Sequence, residues 1–292
     1  MPIRQDLRLF EENNGIYVRK TGVLHRNDEY DDCNFDILFR MQREHFWYCG
    51  RHRFLLCALE NQLSSLCFPI EKFSAVDLGA GCGGWIGYLI GRHPDWFREL
   101  ALADSSYRSL ELAVGVVGPQ VLRFQVDLYD LGWNNRWDVA FLLDVLEHIP
   151  DQVSVLQQIR ECLKPDGFLF FTAPALDFFW SYNDDLAKHQ RRYSMQDLES
   201  LADQCDLKLI KARYFMFFLS PLLYLSRLCG PKIQNMSPAQ IRERIQQTHK
   251  VPAKSLNALL RGIFSMESPL GLHLPFPWGT SILGIFQKSP AA

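Results

Sequence analysis

Val76-Asp77-Leu78-Gly79-Ala80-Gly81-Cys82-Gly83-Gly84 is the stretch that decides the fold. It joins FSAVDLG (73–79), which reads as a buried strand, to a helical segment from Trp85 to Gly91. Glycines at such a junction let the backbone turn sharply and approach a ligand. The helix start that follows offers N–H groups without intrahelical partners. Gly79, Gly81 and Gly84 satisfy G-x-G-x-x-G, the dinucleotide fingerprint, so the loop alone does not choose its ligand. Asp77 lies two residues before the first glycine, where dinucleotide strands usually carry an apolar residue. A carboxylate there suits a positively charged ligand that has no pyrophosphate. The plainer alternative is a tight turn that binds nothing.

Beyond the loop, short apolar strands alternate with helices. ELALAD (99–104) and VLRFQVD (121–127) read as strands around a helix at 106–115. WDVAFLLD (137–144) is nearly all apolar, as expected of a central strand. A helix over 151–163 ends in the turn Lys164-Pro165-Asp166-Gly167, and GFLFFTAP (167–174) follows as a strand. Ser194 and Asp197 have capping-box spacing and start a helix over 194–204. DLKLIKARYF (206–215) and TSILGIFQK (280–288) complete seven strands. This alternation predicts an α/β fold with a doubly wound, mostly parallel seven-stranded sheet.

Residues outside that pattern divide the chain further. Residues 1–66 form an N-terminal extension, with a hairpin turning near Glu11–Gly15, a strand Ile16–Arg19 and a cap helix over 36–66. Residues 67–215 form the core, and 280–292 its last strand and tail. The segment 216–279 is far longer than an ordinary connection of roughly 4–6 residues. It holds helical segments around Pro238–Thr248 and Ala253–Phe264 and a loop at 274–279. A lid, a membrane-facing surface or a homodimer contact would suit it.

The 292 residues carry a formal net charge of −2 and 48% hydrophobic residues, which fits a globular chain with a substantial core. No long basic run exists, so a nucleic-acid partner is not expected. The eight cysteines form no C-x-x-C pair and read as reduced thiols of a cytoplasmic protein. No signal peptide is expected at the N-terminus. Tyr214–Cys229 is the most apolar run, too short to span a bilayer but able to lie against one.

Asp77-Leu78-Gly79-Ala80-Gly81-Cys82-Gly83 resembles the first motif of class I S-adenosylmethionine (SAM)-dependent methyltransferases, (D/E)-x-G-x-G-x-G. Later motifs follow in order over roughly residues 40–215. The resemblance implies that Asp77, Gly79, Ala80, Gly81 and Gly83 cradle SAM. It implies that Asp104, with Ser105, holds the ribose hydroxyls, since a carboxylate can accept from both. Asp127-Leu128 resembles the adenine-contacting position. Asp144-Val145-Leu146-Glu147-His148 resembles the D-x-L-E-H motif of the small-molecule branch, which adds Asp144 and Val145 to the cofactor site. Each aspartate alone would also serve as a helix N-cap. Together they fall at carboxyl ends of strands, where open α/β sheets bind ligands.

Two further stretches resemble a bacterial subgroup associated with surface-glycan, lipid or secondary-metabolite pathways. Glu44-His45-Phe46-Trp47 leads to Arg51, four residues past Trp47, so one helical face carries both. The resemblance implies Arg51 on SAM's carboxylate, Trp47 or Tyr48 over the sulfonium, and His45 toward the acceptor. An amphipathic packing helix with surface arginines is the alternative. Trp180-Ser181-Tyr182 and His189-Gln190-Arg191-Arg192-Tyr193 resemble the W-S-x-x-D … H-x-R-R-Y pattern. That implies Trp180 and Tyr182 as acceptor walls and Arg191 or Arg192 on an anionic group. His148, His189 or Tyr193 would take the acceptor's proton. The alternative is that the arginines pair with Asp184 and Asp185 and order the loop.

Methyl transfer from a sulfonium mainly needs alignment and exclusion of water. No metal-ligand pattern is visible in the sequence, so metal independence is expected. The expectation is therefore a SAM-dependent methyltransferase for a small or lipid-linked acceptor, with oxygen as the receiving atom. SAM-dependent chemistry of another kind, a non-catalytic SAM-binding protein and an NAD enzyme remain as alternatives.

Overall fold

The computed structural model describes residues 7–23, 25, 35–64, 73–228, 240 and 250–289. The helix expected around Pro238–Thr248 lies almost wholly outside these residues. Strands β1 (Phe10–Asn13) and β2 (Ile16–Arg19) form a hairpin through Asn14-Gly15, both at positive φ. The core strands are β3 (Phe73–Leu78), β4 (Phe97–Asp104), β5 (Leu122–Gln125), β6 (Trp137–Leu143), β7 (Leu163–Pro174), β8 (Leu207–Phe215) and β9 (Ser281–Lys288).

One mixed sheet of nine strands runs in the order β1-β2-β5-β4-β3-β6-β7-β9-β8. The expected seven strands are thus exceeded by the hairpin. Tyr17 and Val18 of β2 pair in parallel with Phe124 and Gln125 of β5, while Phe10 packs 5.1 Å from the Phe124 ring. Burial of Phe10 and Ile16 gives the hairpin an apolar reason to extend the edge. Strand β9 is antiparallel to both β7 and β8. The turn expected at Lys164–Gly167 is a bulge inside β7. Leu163 pairs with Trp137 and Phe168 with Val139, so several residues bulge out opposite Asp138.

Helices cover both faces, as β/α alternation requires. On one face lie α5 (Gln152–Cys162) and α7 (Met195–Gln204), with Val155, Leu156, Ile159 and Leu198 buried against the sheet. The other face holds α2 (Phe46–Ser64), α3 (Gly84–Arg92), α4 (Tyr107–Val117) and α9 (Lys254–His273). The Ser194–Asp197 capping box forms as expected. Helices α6 (Tyr182–Leu186) and α8 (Ser220–Leu228) sit in the connections.

Two helices replace the single one expected over 36–66: α1 (Phe35–Glu44) and α2, broken at His45. At the break His45 Nδ1 accepts the Trp47 N–H at 3.2 Å, and Asn257 of α9, 211 residues away, accepts the Phe46 N–H at 2.9 Å. The same amide donates to the Glu44 carbonyl at 2.8 Å. Helix α9 also runs past the expected end at Phe264, through Pro269 to His273. Buried Ser268, Gly271 and Leu272 hold that extra stretch, whose packing offsets the hydrogen bond that a proline removes.

Candidate active site

Strand order reverses between β3 and β6, with β4 and β5 to one side and β7 to the other. At such a switch point the loops at the carboxyl ends diverge and leave a crevice. A cavity of about 630 Å³ lies there, within the roughly 300–1,000 Å³ usual for small-ligand sites.

The glycine loop forms one wall. Gly79 and Gly81 have φ of 67° and 52° and both line the cavity. A Cβ on Gly79 would stand 2.5 Å from Val145 Cγ2, so the close approach admits glycine alone. Asp104, at the end of β4, accepts the Gly81 N–H at 2.8 Å through Oδ2 and the Ser106 N–H at 2.9 Å through Oδ1. The expected ribose contact therefore falls on a carboxylate that also ties the loop to α4. Ala80, Ser105, Asp127, Leu128, Asp144 and Val145 line the same cavity. Gly83 does not; it caps α3 in the left-handed conformation, and a Cβ there would meet Leu102 at 2.9 Å.

Asp77 is buried beneath the loop. Burial pushes its carboxyl up to about 8, Asp104 adds to the rise, and Arg51 opposes it. With Asp104, Asp144 and Glu147 it lines the cavity with carboxyl groups, and a ligand carrying an ammonium and a sulfonium favours their ionised form. The left-handed cradle and this donor set together suit SAM.

Arg51 comes from α2 and pairs with Asp144 at the end of β6. Its guanidinium lies 4.9 Å from the Trp47 ring and 5.4 Å from the Tyr48 ring. It also reaches His52 Nε2 at 3.2 Å. Burial, then the Arg51 charge, holds His52 well below the ordinary imidazole range, so this ring is neutral. The cation on these aromatic rings is thus the protein's own. Burial likewise pushes the Tyr48 phenol up to about 12.

The cavity is also lined by Glu147, His148 and His189. The two imidazole rings are 4.9 Å apart, edge to face. His189 Nδ1 is 2.9 Å from Asp184 Oδ1. Burial raises the Asp184 carboxyl, but the His189 hydrogen bond and the Arg192 charge outweigh it and hold the group at about 2. Burial, then Asp144, raises Glu147 well above the carboxylate range. Gln190 locks the two segments together: its N–H donates to the Glu147 carbonyl and its side chain to the His148 carbonyl.

Several expected acceptor contacts are corrected. Tyr193 is 1% exposed and outside the cavity lining, its hydroxyl 3.0 Å from Gln152 Oε1, so it takes no proton from an acceptor. Arg192 lines the cavity, but its Nε and Nη2 fork onto Asp184 at 2.9 and 3.0 Å, and Nη1 donates to the Ala175 carbonyl. It orders the loop. Arg191 and Trp180 lie outside the lining; Trp180 Nε1 donates to Asp185 instead. His45 and Tyr182 do line the cavity.

Sequence reasoning passed over Glu147, although it stands inside the quoted D-x-L-E-H motif. It also missed Gln42, whose amide donates to the Cys82 carbonyl at 3.1 Å, and Met216 and Leu223, which line the cavity from the long insertion. Only the adjacency of Glu147 to His148 gave a signal in the sequence.

A family profile described as methyltransferase domain matches residues 39–212. The chain belongs to the methyltransferase-domain family. Its cofactor is accordingly SAM. Curated relatives match in part. The ubiquinone biosynthesis O-methyltransferase of Actinobacillus pleuropneumoniae is 46% identical over 37 residues, 13% of this chain and 16% of its own. That of Pseudoalteromonas translucida is 27% identical over 113 residues, 34% of this chain and 44% of its own. The matched region thus spans less than half the length of these relatives. Phosphoethanolamine N-methyltransferase 2 of Haemonchus contortus, solved with SAM, shares the fold with a TM-score of 0.54 at 16% identity, covering 90% of this chain and 58% of that one.

Proposed function

We propose that the protein transfers a methyl group from SAM to an oxygen of a small or lipid-linked acceptor. One observation carries this reading: a single cavity is lined both by the glycine loop with Asp104 and by the His148–His189 pair. SAM supplies the activated methyl group, and the glycine loop, Asp77, Asp104 and Asp127 are the groups placed to hold it. Around the acceptor the protein orients and excludes water: Phe46, Met216 and Leu223 give apolar walls. Asp184 fixes the His189 ring through Nδ1, which leaves Nε2 toward the acceptor end. His189 and His148 are the groups available to take a hydroxyl's proton there.

The lipid-linked part of the reading rests on α8. Leu223 and Ser226 line the cavity, while Phe218, Leu222 and Leu225 beside them are exposed. A helix with Leu223 toward the cavity and Leu222 and Leu225 toward solvent suits an acceptor with a greasy chain delivered from a membrane surface. Among the described residues no helix is long and apolar enough to cross a membrane. The resemblance to the E-H-F-W subgroup supports a surface-polymer or secondary-metabolite pathway.

The test is incubation with methyl-labelled SAM and an extract divided into water-soluble and lipid fractions. Label entering a lipid-extractable product, with equal S-adenosylhomocysteine released, is expected. Absence of S-adenosylhomocysteine from every fraction would remove the methyltransferase reading, and label confined to water-soluble products would remove the lipid part.

A further inference from the structure

Glu147, His148 and His189 each offer one ligand atom, and these atoms all lie within 4.8 Å of one another at the acceptor end of the cavity. We propose that they bind one divalent transition-metal ion whose remaining positions open onto the cavity. Two imidazole nitrogens and one carboxylate oxygen suit Zn²⁺, Mn²⁺, Fe²⁺ or Co²⁺. The inference rests on reading this end of the cavity as the acceptor site.

The distances are close to what an ion needs. Glu147 Oε1 stands 3.9 Å from His189 Nε2. Ligands at roughly 2.1 Å around a tetrahedral zinc stand about 3.4 Å apart, so small side-chain rotations close the site.

The surroundings are those of a metal site. A metal-bound histidine almost always holds its other ring nitrogen on a carboxylate, carbonyl or water. His189 does so, with Nδ1 2.9 Å from Asp184 Oδ1. Asp184 is itself fixed by the Arg192 fork and by the Ser181 N–H at 2.8 Å. The two ligand-bearing segments are locked by the Gln190 bonds to the Glu147 and His148 carbonyls. Such preorganisation is what a binding constellation needs.

A second observation is independent of the cluster's geometry. Glu147 is 1% exposed, lines the cavity, and its Oε2 has no hydrogen-bond partner among the described residues. A buried polar oxygen left without a partner is costly, and a cation at the cluster offsets that cost. The expected metal independence came from seeing no ligand spacing in the sequence. Residues 147–148 and 189 meet only through the fold. With the ion bound, the imidazoles ligate rather than take a proton. An acceptor hydroxyl on the ion then gives its proton to water more readily.

The test uses the full chain stripped by a chelator and titrated with Zn²⁺ alone by calorimetry, and with Co²⁺ by visible absorption. One ion per chain is expected, with a Co²⁺ spectrum of low coordination number. Glu147→Gln and His148→Asn should each weaken binding more than tenfold while circular dichroism and melting stay near those of the parent chain. Asp184→Asn should weaken it roughly 10–100-fold through His189. No ion bound, or unchanged binding in both ligand variants, overturns the proposal. Methyl transfer is measured separately on the stripped protein. Full methylation without any ion site defeats this inference alone, whereas ion binding without any methylation defeats the methyltransferase reading and leaves the site.

Discussion

Arg51 Nη1 donates to Asp144 Oδ2 across 93 residues, joining the second helix to the end of β6 on the lining of the cavity. Asp144 also accepts the Thr172 hydroxyl at 3.1 Å and holds a positive φ of 57°. This pair ties the helix that carries Arg51 to the strand end that carries Asp144, and both residues line the cavity.

Arg51→Met should therefore destabilise the protein. Removing one partner of a buried pair costs about 3–5 kcal/mol. Asp144 keeps 17% side-chain exposure, which points to the lower end, about 3 kcal/mol. Urea unfolding measures it. Arg51→Lys keeps the charge but not the planar stacking on Trp47, and a smaller loss is expected. Equal stability of all three proteins would show that the pair contributes nothing.

Asp77 makes SAM binding depend on pH. Its folded carboxyl titrates near 8, against an ordinary value near 4. The folded state thus holds the proton that the unfolded state loses. This stability is present at low pH and falls as pH rises from about 4 to about 8. A cationic ligand favours the ionised form, so SAM affinity should rise over the same range and flatten above pH 8. Asp77→Asn should flatten both profiles, as melting curves and calorimetry across pH would record. An affinity that falls with rising pH in the parent chain would contradict this.

Asp184→Asn tests the loop after β7. The change removes the charge that holds the Arg192 fork and the His189 ring. Turnover should fall at least tenfold while SAM affinity changes little, because the glycine loop is elsewhere. Hydrogen exchange over 181–193 should speed up. Loss of SAM binding with unchanged exchange would place the role of Asp184 elsewhere.

Gly79→Ala tests the cradle. The added Cβ meets Val145 Cγ2 at 2.5 Å in a backbone of φ 67°. Strain of this kind costs on the order of 1–3 kcal/mol. SAM affinity should fall by at least tenfold, with a lowered melting temperature. A binding curve like that of the parent chain would mean the ligand does not approach this loop.

The sheet was legible where local signals and tertiary packing agreed. The apolar runs at 73–79 and 137–144 are central strands because both their faces are covered by helices. The Ser194–Asp197 box was readable because its chemistry is local. The break at His45 was not, since half of its capping, the Asn257 contact to the Phe46 N–H, comes from the insertion. The pairing of β2 with β5 was hidden for the same reason, a short strand gaining its place through distant burial of Phe10 and Ile16. In the site, the aspartates at strand ends were visible as a pattern. The partners of Arg51, Arg192 and Tyr193 were not, because sequence gives residue types and not which side chain reaches which.

The most direct measurement is calorimetric titration of the full chain with SAM and, separately, with NAD. One SAM per chain is expected, weakened at least tenfold by Asp104→Asn, with no heat from NAD. Tight NAD binding and no SAM binding would contradict the assignment of the glycine loop.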